Sequence, residues 1–248
     1  MTNAVATAVF KSLFAIKGRN AFVLSFHRKA MGVGGRTGEI IQSTLLAHGA
    51  PMELVQRIRE RSSRRKSVAL MMHPRVGLVL ATGGSEMVRA AYSSGTPAIG
   101  VGPGNGPVVV CADADLDACA AGVVGSKSFD NRLICASESN LIVEVSVKPQ
   151  FVEALVAAGA AVLDDAESSA LLAPAVDPRT HHCAGALVGQ SAKRIQTAAG
   201  LRESETPSAI VLPAAERLVG NSLAGEKMAP ILSVLTAASA DEGMDLAR

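Results

Sequence analysis

Short apolar runs rich in β-branched residues alternate along the chain with stretches in which apolar residues return every three or four positions. That alternation predicts an α/β fold built on a largely parallel sheet. The runs predict strands at residues 21–25, 54–58, 76–81, 98–101, 108–111, 141–145 and 209–212. The helical spacing predicts helices at 37–48, 67–72, 85–94, 116–128, 149–158 and 191–199. Asp115 and Ser191 stand where N-caps belong, and Gly49 and Gly159 stand just past helix ends. Ahead of the first strand, Val5, Val9, Leu13 and Ile16 fall at helical spacing and predict a first helix over 4–16 that turns this face to the core. The first 38 residues hold no acid, as a transit peptide would, but the helical spacing favours a packed helix. The stretch is also too short to span a bilayer. The pattern breaks at Gly100-Val-Gly-Pro-Gly-Asn-Gly106, and the domain boundary is expected there, giving domains of 1–102 and 103–248.

Composition narrows the function. With 248 residues, 48% of them hydrophobic, the chain can bury a sizeable core. A net charge of +2, no Trp and few aromatic residues give neither the footprint nor the stacking platform of a nucleic-acid binder. Four cysteines without a Cys-X-X-Cys pair or a secretory leader point to free thiols and the cytoplasm. The run from Arg57 to Lys66 holds six basic residues and one acid, read as a solvated loop with a phosphate contact as the alternative. Neither 31–39 nor 100–106 fits G-x-G-x-x-G, and P-loop and G-x-S-x-G motifs are missing. His181-His182-Cys183 lacks a second ligand pair at zinc spacing, so it is read as a loop cluster and no metal is expected.

The cysteines remain as candidate nucleophiles. Cys111 ends a predicted strand and Cys119 lies on a predicted helix, where a free Cys is usually a small buried hydrophobe. Cys135 sits on a polar stretch between a helix and a strand, a placement suited to reactive groups. The surrounding segment, SKSFDNRLICASES, resembles the active-site segment of CoA-acylating aldehyde dehydrogenases. Three more blocks follow that family's order: TNAVATAVFKSLFAIKGRNAFVLS, LVLATGGSEMVRAAYSSGTPAIGVGPGNGPVVV and GEKMAPIL. The resemblance implies an aldehyde-dehydrogenase-like α/β fold, with a partial Rossmann-type cofactor domain followed by a partial α/β catalytic domain. It implies that Cys135 is the nucleophile and that Asn3, with the Cys135 backbone N–H, stabilises the oxyanion. It further implies that Glu226 holds the nicotinamide ribose, that Thr82, Gly83 and Gly84 lie against the dinucleotide, and that Ser25 lies near the adenosine ribose. The implied reaction takes a small aldehyde, NAD and CoA to an acyl-CoA and NADH.

The departures from the family pattern also carry meaning. Gly100 stands where hydrolytic relatives have a glutamate base, which favours a thiol acceptor over water. Ala4 replaces a proline after the oxyanion Asn, and Arg132 replaces a small residue three positions before the nucleophile. Arg28 and Lys29 stand near the place where a carboxylate often grips the ribose 2′-hydroxyl, so NADP remains open as the cofactor. Segments that family members carry before Asn3 and after Glu226 are not in this sequence. The expectation is therefore a partial chain with little turnover alone, and a homo-oligomer in full-length form. The alternatives are a hydrolytic aldehyde dehydrogenase and a truncated, non-catalytic nucleotide-binding module.

Overall fold

The computed structural model describes residues 3–177, 183–201, 206–213 and 225–248. They form two compact units, Met1–Pro103 and Gly104–Arg248.

The second unit is built on five parallel strands: β5 (Gly106–Val110), β6 (Glu138–Glu144), β7 (Ala160–Val162), β8 (Ala209–Leu212) and β9 (Ile231–Ala237), in the order β5-β6-β9-β8-β7. Helices cover both faces, which is why the strands read as unbroken apolar runs rather than as alternations. Leu141, Val143, Val211 and Val234 face α5 (Leu116–Ser128) and α6 (Lys148–Ala157), against Val124, Phe151 and Leu155. Ile210, Leu212 and Ile231 face the other way, toward Leu171 of α7 (Asp165–Ala175) and Ile195 of α8 (Ala192–Ala199). The final helix α9 (Ala240–Leu246) lies so close to β5 and β6 that a Cβ at Gly243 would come within 2.8 Å of Val109. Asp115 and Ser191 cap α5 and α8 as expected, accepting from the N–H groups of Ala118 and Arg194.

The first unit holds two parallel pairs: β1 (Phe22–Leu24) with β2 (Val55–Arg57), and β3 (Val79–Thr82) with β4 (Ala98–Val101). Helices α1 (Ala4–Lys17) and α2 (Met31–Ala47) pack with the first pair through Ala4, Ala8, Leu24, Phe26 and Val55. Helices α3 (Arg64–Met71) and α4 (Ser85–Tyr92) pack with the second through Met71, Ala81 and Ala91. Gly49 and Gly159 take φ of 79° and 92° just past α2 and α6, the conformation that favours glycine there.

Three expectations are corrected. The face of α1 that packs is Ala4, Ala8 and Ser12, while Val5, Val9 and Leu13 are exposed. Small side chains let α1 approach closely, and the bulkier apolar stripe, with Phe10 and Phe14, is left uncovered. Helix α2 begins six residues earlier than expected, because its glycines are contact points. A Cβ at Gly34 would stand 2.3 Å from the Phe26 ring, and one at Gly38 would stand 3.2 Å from Arg57. The basic run is not all loop: Ser63 caps α3, so Arg64, Arg65 and Lys66 are helical.

Candidate active site

Cys135 is exposed on a four-residue turn that joins α5 and the short 3-10 segment Phe129–Arg132 to β6. The turn is closed by the Ser137 N–H donating to the Ile134 carbonyl at 3.4 Å. Asp130, Asn131 and Arg132 all have left-handed backbone, with φ of 50°, 48° and 65°. Asp and Asn tolerate that region; for Arg it costs about 1–2 kcal/mol. The compensation lies in the Arg132 side chain, which is fully buried beneath the turn. Its guanidinium donates to the carbonyls of Ile134 and Ser137, and to Ser139 Oγ at 3.1 Å. Ile134 O belongs to the peptide plane whose opposite edge is the Cys135 N–H, so Arg132 fixes the direction of that donor. Burial works against the charge of Arg132, and Glu226, Cys135 and Glu138 work in its favour.

Arg132 belongs to a wider buried network. Lys127, at the end of α5, donates to the carbonyls of Glu138 at 2.8 Å and Lys227 at 3.3 Å. The Lys227 N–H donates to Ser139 Oγ at 3.3 Å, and its Nζ donates to Asn140 Oδ1 at 3.1 Å and Gly225 O at 3.3 Å. Asn140 Nδ2 donates in turn to Asn105 Oδ1 at 2.8 Å. The start of β6 is thereby tied both to the Cys135 turn and to the segment carrying Glu226. Burial pushes Lys227 down to about 7, and pushes Lys127 well below its ordinary value. Glycine in the 100–106 segment serves this turn directly: a Cβ at Gly104 would stand 3.0 Å from Cys135 O.

Glu226 Oε1 is buried and has no hydrogen-bond partner among the described residues, as is Glu138 Oε2. A buried acceptor without a donor is unusual, and a ligand hydroxyl would satisfy it. The other thiols are less available than Cys135. Cys111, Cys119 and Cys183 are partly buried, and burial first of all raises the pKa of Cys119 and of Cys183. His181 and His182 lie outside the described residues. Among the described residues, no group of three metal-ligating side chains occurs and no helix is long and apolar enough to cross a membrane.

The remaining candidates lie in the Met1–Pro103 unit. The Asn3 carbonyl oxygen Oδ1 caps α1, accepting from the Ala6 N–H at 3.2 Å, a role that leaves its amide nitrogen available to donate. Ser25 directly follows β1, and Gly83 and Gly84 directly follow Thr82 at the end of β3. Both sets occupy the carboxyl ends of parallel strands, the edge where open α/β sheets bind ligands. Gly100, on β4, has no room for a side chain: a Cβ would meet Val88 at 2.6 Å and Tyr92 at 2.9 Å. Sequence reasoning had no role for Lys127 or Lys227; their single signal was a place inside the quoted blocks SKSFDNRLICASES and GEKMAPIL.

Known proteins match nearly the whole length of the chain. The chain is 38% identical over 246 residues to the bifunctional aldehyde-alcohol dehydrogenase AdhE of Escherichia coli, covering 99% of this chain and 27% of that protein. It is 34% identical over 249 residues to an acetylating succinate-semialdehyde dehydrogenase of Clostridium kluyveri, covering 100% and 54%. An acetylating aldehyde dehydrogenase from Geobacillus thermoglucosidasius superposes with a TM-score of 0.91 at 32% identity, covering 99% of this chain and 54% of that one. A propionaldehyde dehydrogenase from Rhodopseudomonas palustris, solved with bound CoA and an acylated cysteine, gives 0.91 at 29%, covering 99% and 55%. The chain thus spans about a quarter to a half of these relatives' lengths. The sequence profile that matches residues 3–247 is that of the aldehyde dehydrogenase family, and the chain belongs to it.

Proposed function

We propose that the chain carries the nucleophile and the dinucleotide-binding elements of a CoA-acylating aldehyde dehydrogenase, which converts a small aldehyde, NAD or NADP, and CoA to an acyl-CoA and the reduced cofactor. The observation that carries this reading is Cys135, exposed on a turn whose carbonyls are held from beneath by Arg132. The Cys135 sulfur, as thiolate, adds to the aldehyde carbonyl carbon, and the C=O electron pair moves to oxygen. The Cys135 N–H donates to that oxyanion, and the family resemblance gives the Asn3 amide the same role. Collapse of the oxyanion re-forms C=O and expels the hydride, leaving a thioester on Cys135. The nicotinamide, when bound, supplies the hydride acceptor. Glu226, with a free buried acceptor oxygen, would hold the ribose hydroxyls, and Thr82, Gly83, Gly84 and Ser25 would bind the dinucleotide. The CoA thiolate then attacks the thioester and Cys135 leaves as thiolate, restoring the starting state.

Gly100 supplies no carboxylate where hydrolytic relatives have a glutamate base, which favours acyl transfer to a thiol over hydrolysis, and a Cβ there would crowd the Val88 and Tyr92 side chains. The Rhodopseudomonas palustris relative, with its CoA and acylated cysteine, supports the same chemistry. Four free thiols suit the cytoplasm, and the uncovered apolar stripe of α1 suits assembly into a homo-oligomer. The test incubates the protein with propionaldehyde and NAD or NADP, with and without CoA, and identifies products by mass spectrometry. Propionyl-CoA formed only with CoA, and lost in Cys135→Ser, is the expected result. Free propionate formed at an equal rate without CoA would overturn the acylating assignment. In any form that turns over, Asn3→Ala should cost roughly 3 kcal/mol of transition-state stabilisation.

A further inference from the structure

Strand β6 is irregular at its start. Gly106 of β5 pairs with Glu138 and the next residue, Pro107, pairs with Asn140, so Ser139 is the extra residue of a β-bulge. On the other side, the pairing with β9 begins only at Asn140. Ser139 is thus paired with neither neighbouring strand, yet it is fully buried. Pro107 has no N–H, which accounts for a gap in the ladder. It does not account for the direction of the Ser139 side chain. Successive side chains of a regular strand leave opposite faces, whereas Ser139 and Asn140 both meet Lys227. Ser139 Oγ accepts from its N–H at 3.3 Å, and Asn140 Oδ1 accepts from its Nζ at 3.1 Å. The bulge turns two consecutive side chains toward one partner.

The Ser139 hydroxyl oxygen accepts twice. One donor is the Arg132 guanidinium at 3.1 Å, which also holds the Ile134 and Ser137 carbonyls of the Cys135 turn. The other is the Lys227 N–H, part of the peptide that joins Glu226 to Lys227. A hydroxyl offers two acceptor lone pairs, so both are used on these two elements. One partner would satisfy a hydroxyl that merely filled the bulge. We propose that Ser139 is a positioning residue, whose single oxygen sets the Cys135 turn and Glu226 in a fixed register. The inference rests on reading Cys135 as the nucleophile and Glu226 as the grip on the nicotinamide ribose. Under that reading the hydride donor and acceptor must stand about 3–3.5 Å apart, and a shift of the ribose carboxylate against the turn would misalign them. Strand β6 lies inside the sheet, between β5 and β9, so both elements take their position from its most rigid part.

The experiment measures binding of NADH and 5′-AMP by isothermal titration calorimetry to the parent chain, Ser139→Ala, Glu226→Ala and the double variant. NADH should bind the parent more tightly than 5′-AMP does. Ser139→Ala should cut that advantage about five-fold, the scale of one lost hydrogen bond, and leave 5′-AMP binding unchanged. Glu226→Ala should cut it at least as far, and the double variant no further, because Ser139 acts through Glu226. Hydrogen exchange read by mass spectrometry reports the other side of the contact. Peptides covering 133–138 and 225–230 should both exchange about five-fold faster in Ser139→Ala, with β8 and α8 unchanged. Loosening of only one of the two segments, or of β8 and α8 as well, overturns the proposal. So do additive losses in the double variant, or a fall in 5′-AMP binding that matches the fall for NADH. A parent with no NADH advantage overturns the ribose reading of Glu226, and the proposal with it.

Discussion

Arg132 couples two opposed contributions that a pair of substitutions separates. Its backbone lies at φ 65°, which glycine adopts freely and an L side chain does not. Its side chain makes three hydrogen bonds, to Ile134 O, Ser137 O and Ser139 Oγ. Arg132→Ala and Arg132→Gly both delete the guanidinium and expose the same acceptors, but only glycine relieves the backbone. At an ordinary position glycine is less stable than alanine by roughly 0.5–1 kcal/mol. Here the order should invert, with Arg132→Gly more stable than Arg132→Ala by about 1 kcal/mol. Arg132→Ala should fall below the parent by roughly 2–3 kcal/mol and Arg132→Gly by roughly 1–2 kcal/mol, because hydrogen bonds from a charged donor are worth about 1.5–3 kcal/mol each while burial of the guanidinium offsets part of that. Urea unfolding at fixed pH reads all three. An alanine variant at least as stable as the glycine variant would refute the left-handed assignment. A glycine variant as stable as the parent would refute the bracing role. In any form that turns over, both variants should also lose cofactor reduction, because the Ile134–Cys135 peptide is no longer held.

Lys227 titrates near 7 in the folded state against an ordinary 10.5, so between those values the unfolded chain holds a proton that the folded chain does not. Stability should therefore rise with pH through that window by up to about 1.4 kcal/mol per unit. Lys227→Met should flatten the rise seen in urea midpoints from pH 7 to 10, and an unchanged slope would contradict the burial of this charge. In competitive alkylation at neutral pH, read by peptide mass spectrometry, Cys135 should label first, since Cys119 and Cys183 are held protonated by burial. Faster labelling of any other thiol would displace it as nucleophile. Phe10 and Phe14 meet with tilted rings on the uncovered side of α1, centroids 4.6 Å apart, and both are exposed. Replacing both by Ser should reduce self-association in analytical ultracentrifugation with little loss of stability, and an unchanged association state would show that this stripe is not the contact.

The sequence carried most of the elements, and the omissions have identifiable causes. Strands β4 and β8 and helix α5 fall on the expected boundaries, because each combines an apolar run with an unambiguous stop. Strand β7 is three residues of Ala-Ala-Val, too short and too weakly β-forming to stand out. Strand β9 begins inside the GEKMAPIL block, which read as a motif and so hid its apolar run. Helices α7 and α9 were announced by Asp164-x-x-Glu167, which closes as a capping box, and by Ser239-x-x-Glu242, where Ser239 Oγ accepts from the Glu242 N–H, but Pro174 and the short length of α9 masked their periodicity. The orientation of α1 was not legible, because two faces of that helix are apolar and only the partner surface decides which one packs. The exposed position of Cys135 follows from its polar surroundings. The buried cations beneath it do not, since a Lys or Arg in a polar segment reads as a solvated side chain.

Those cations bear on how the site would handle charge. Lys127, Arg132 and Lys227 are all fully buried, and the acids they feel within the network are Glu138 and Glu226. Three cations against two carboxylates leave the pocket under the Cys135 turn with an excess of positive charge when all are ionised. Such an arrangement is expensive to fold, because each buried ion loses hydration worth several kcal/mol. Hydrogen bonds to fixed main-chain carbonyls recover part of that loss, which is why Ile134, Ser137, Glu138 and Gly225 all present their carbonyls to a cation. Burial pushes Lys127 and Lys227 toward their neutral forms, which relieves more of it. A pocket poised this way opposes little of its own charge to a transient oxyanion on the outer side of the turn, and its donors need no rearrangement when that charge develops. The substitution of Arg132 for a small residue therefore adds a positive charge, and a fixed peptide plane, at the place where the proposed reaction accumulates negative charge.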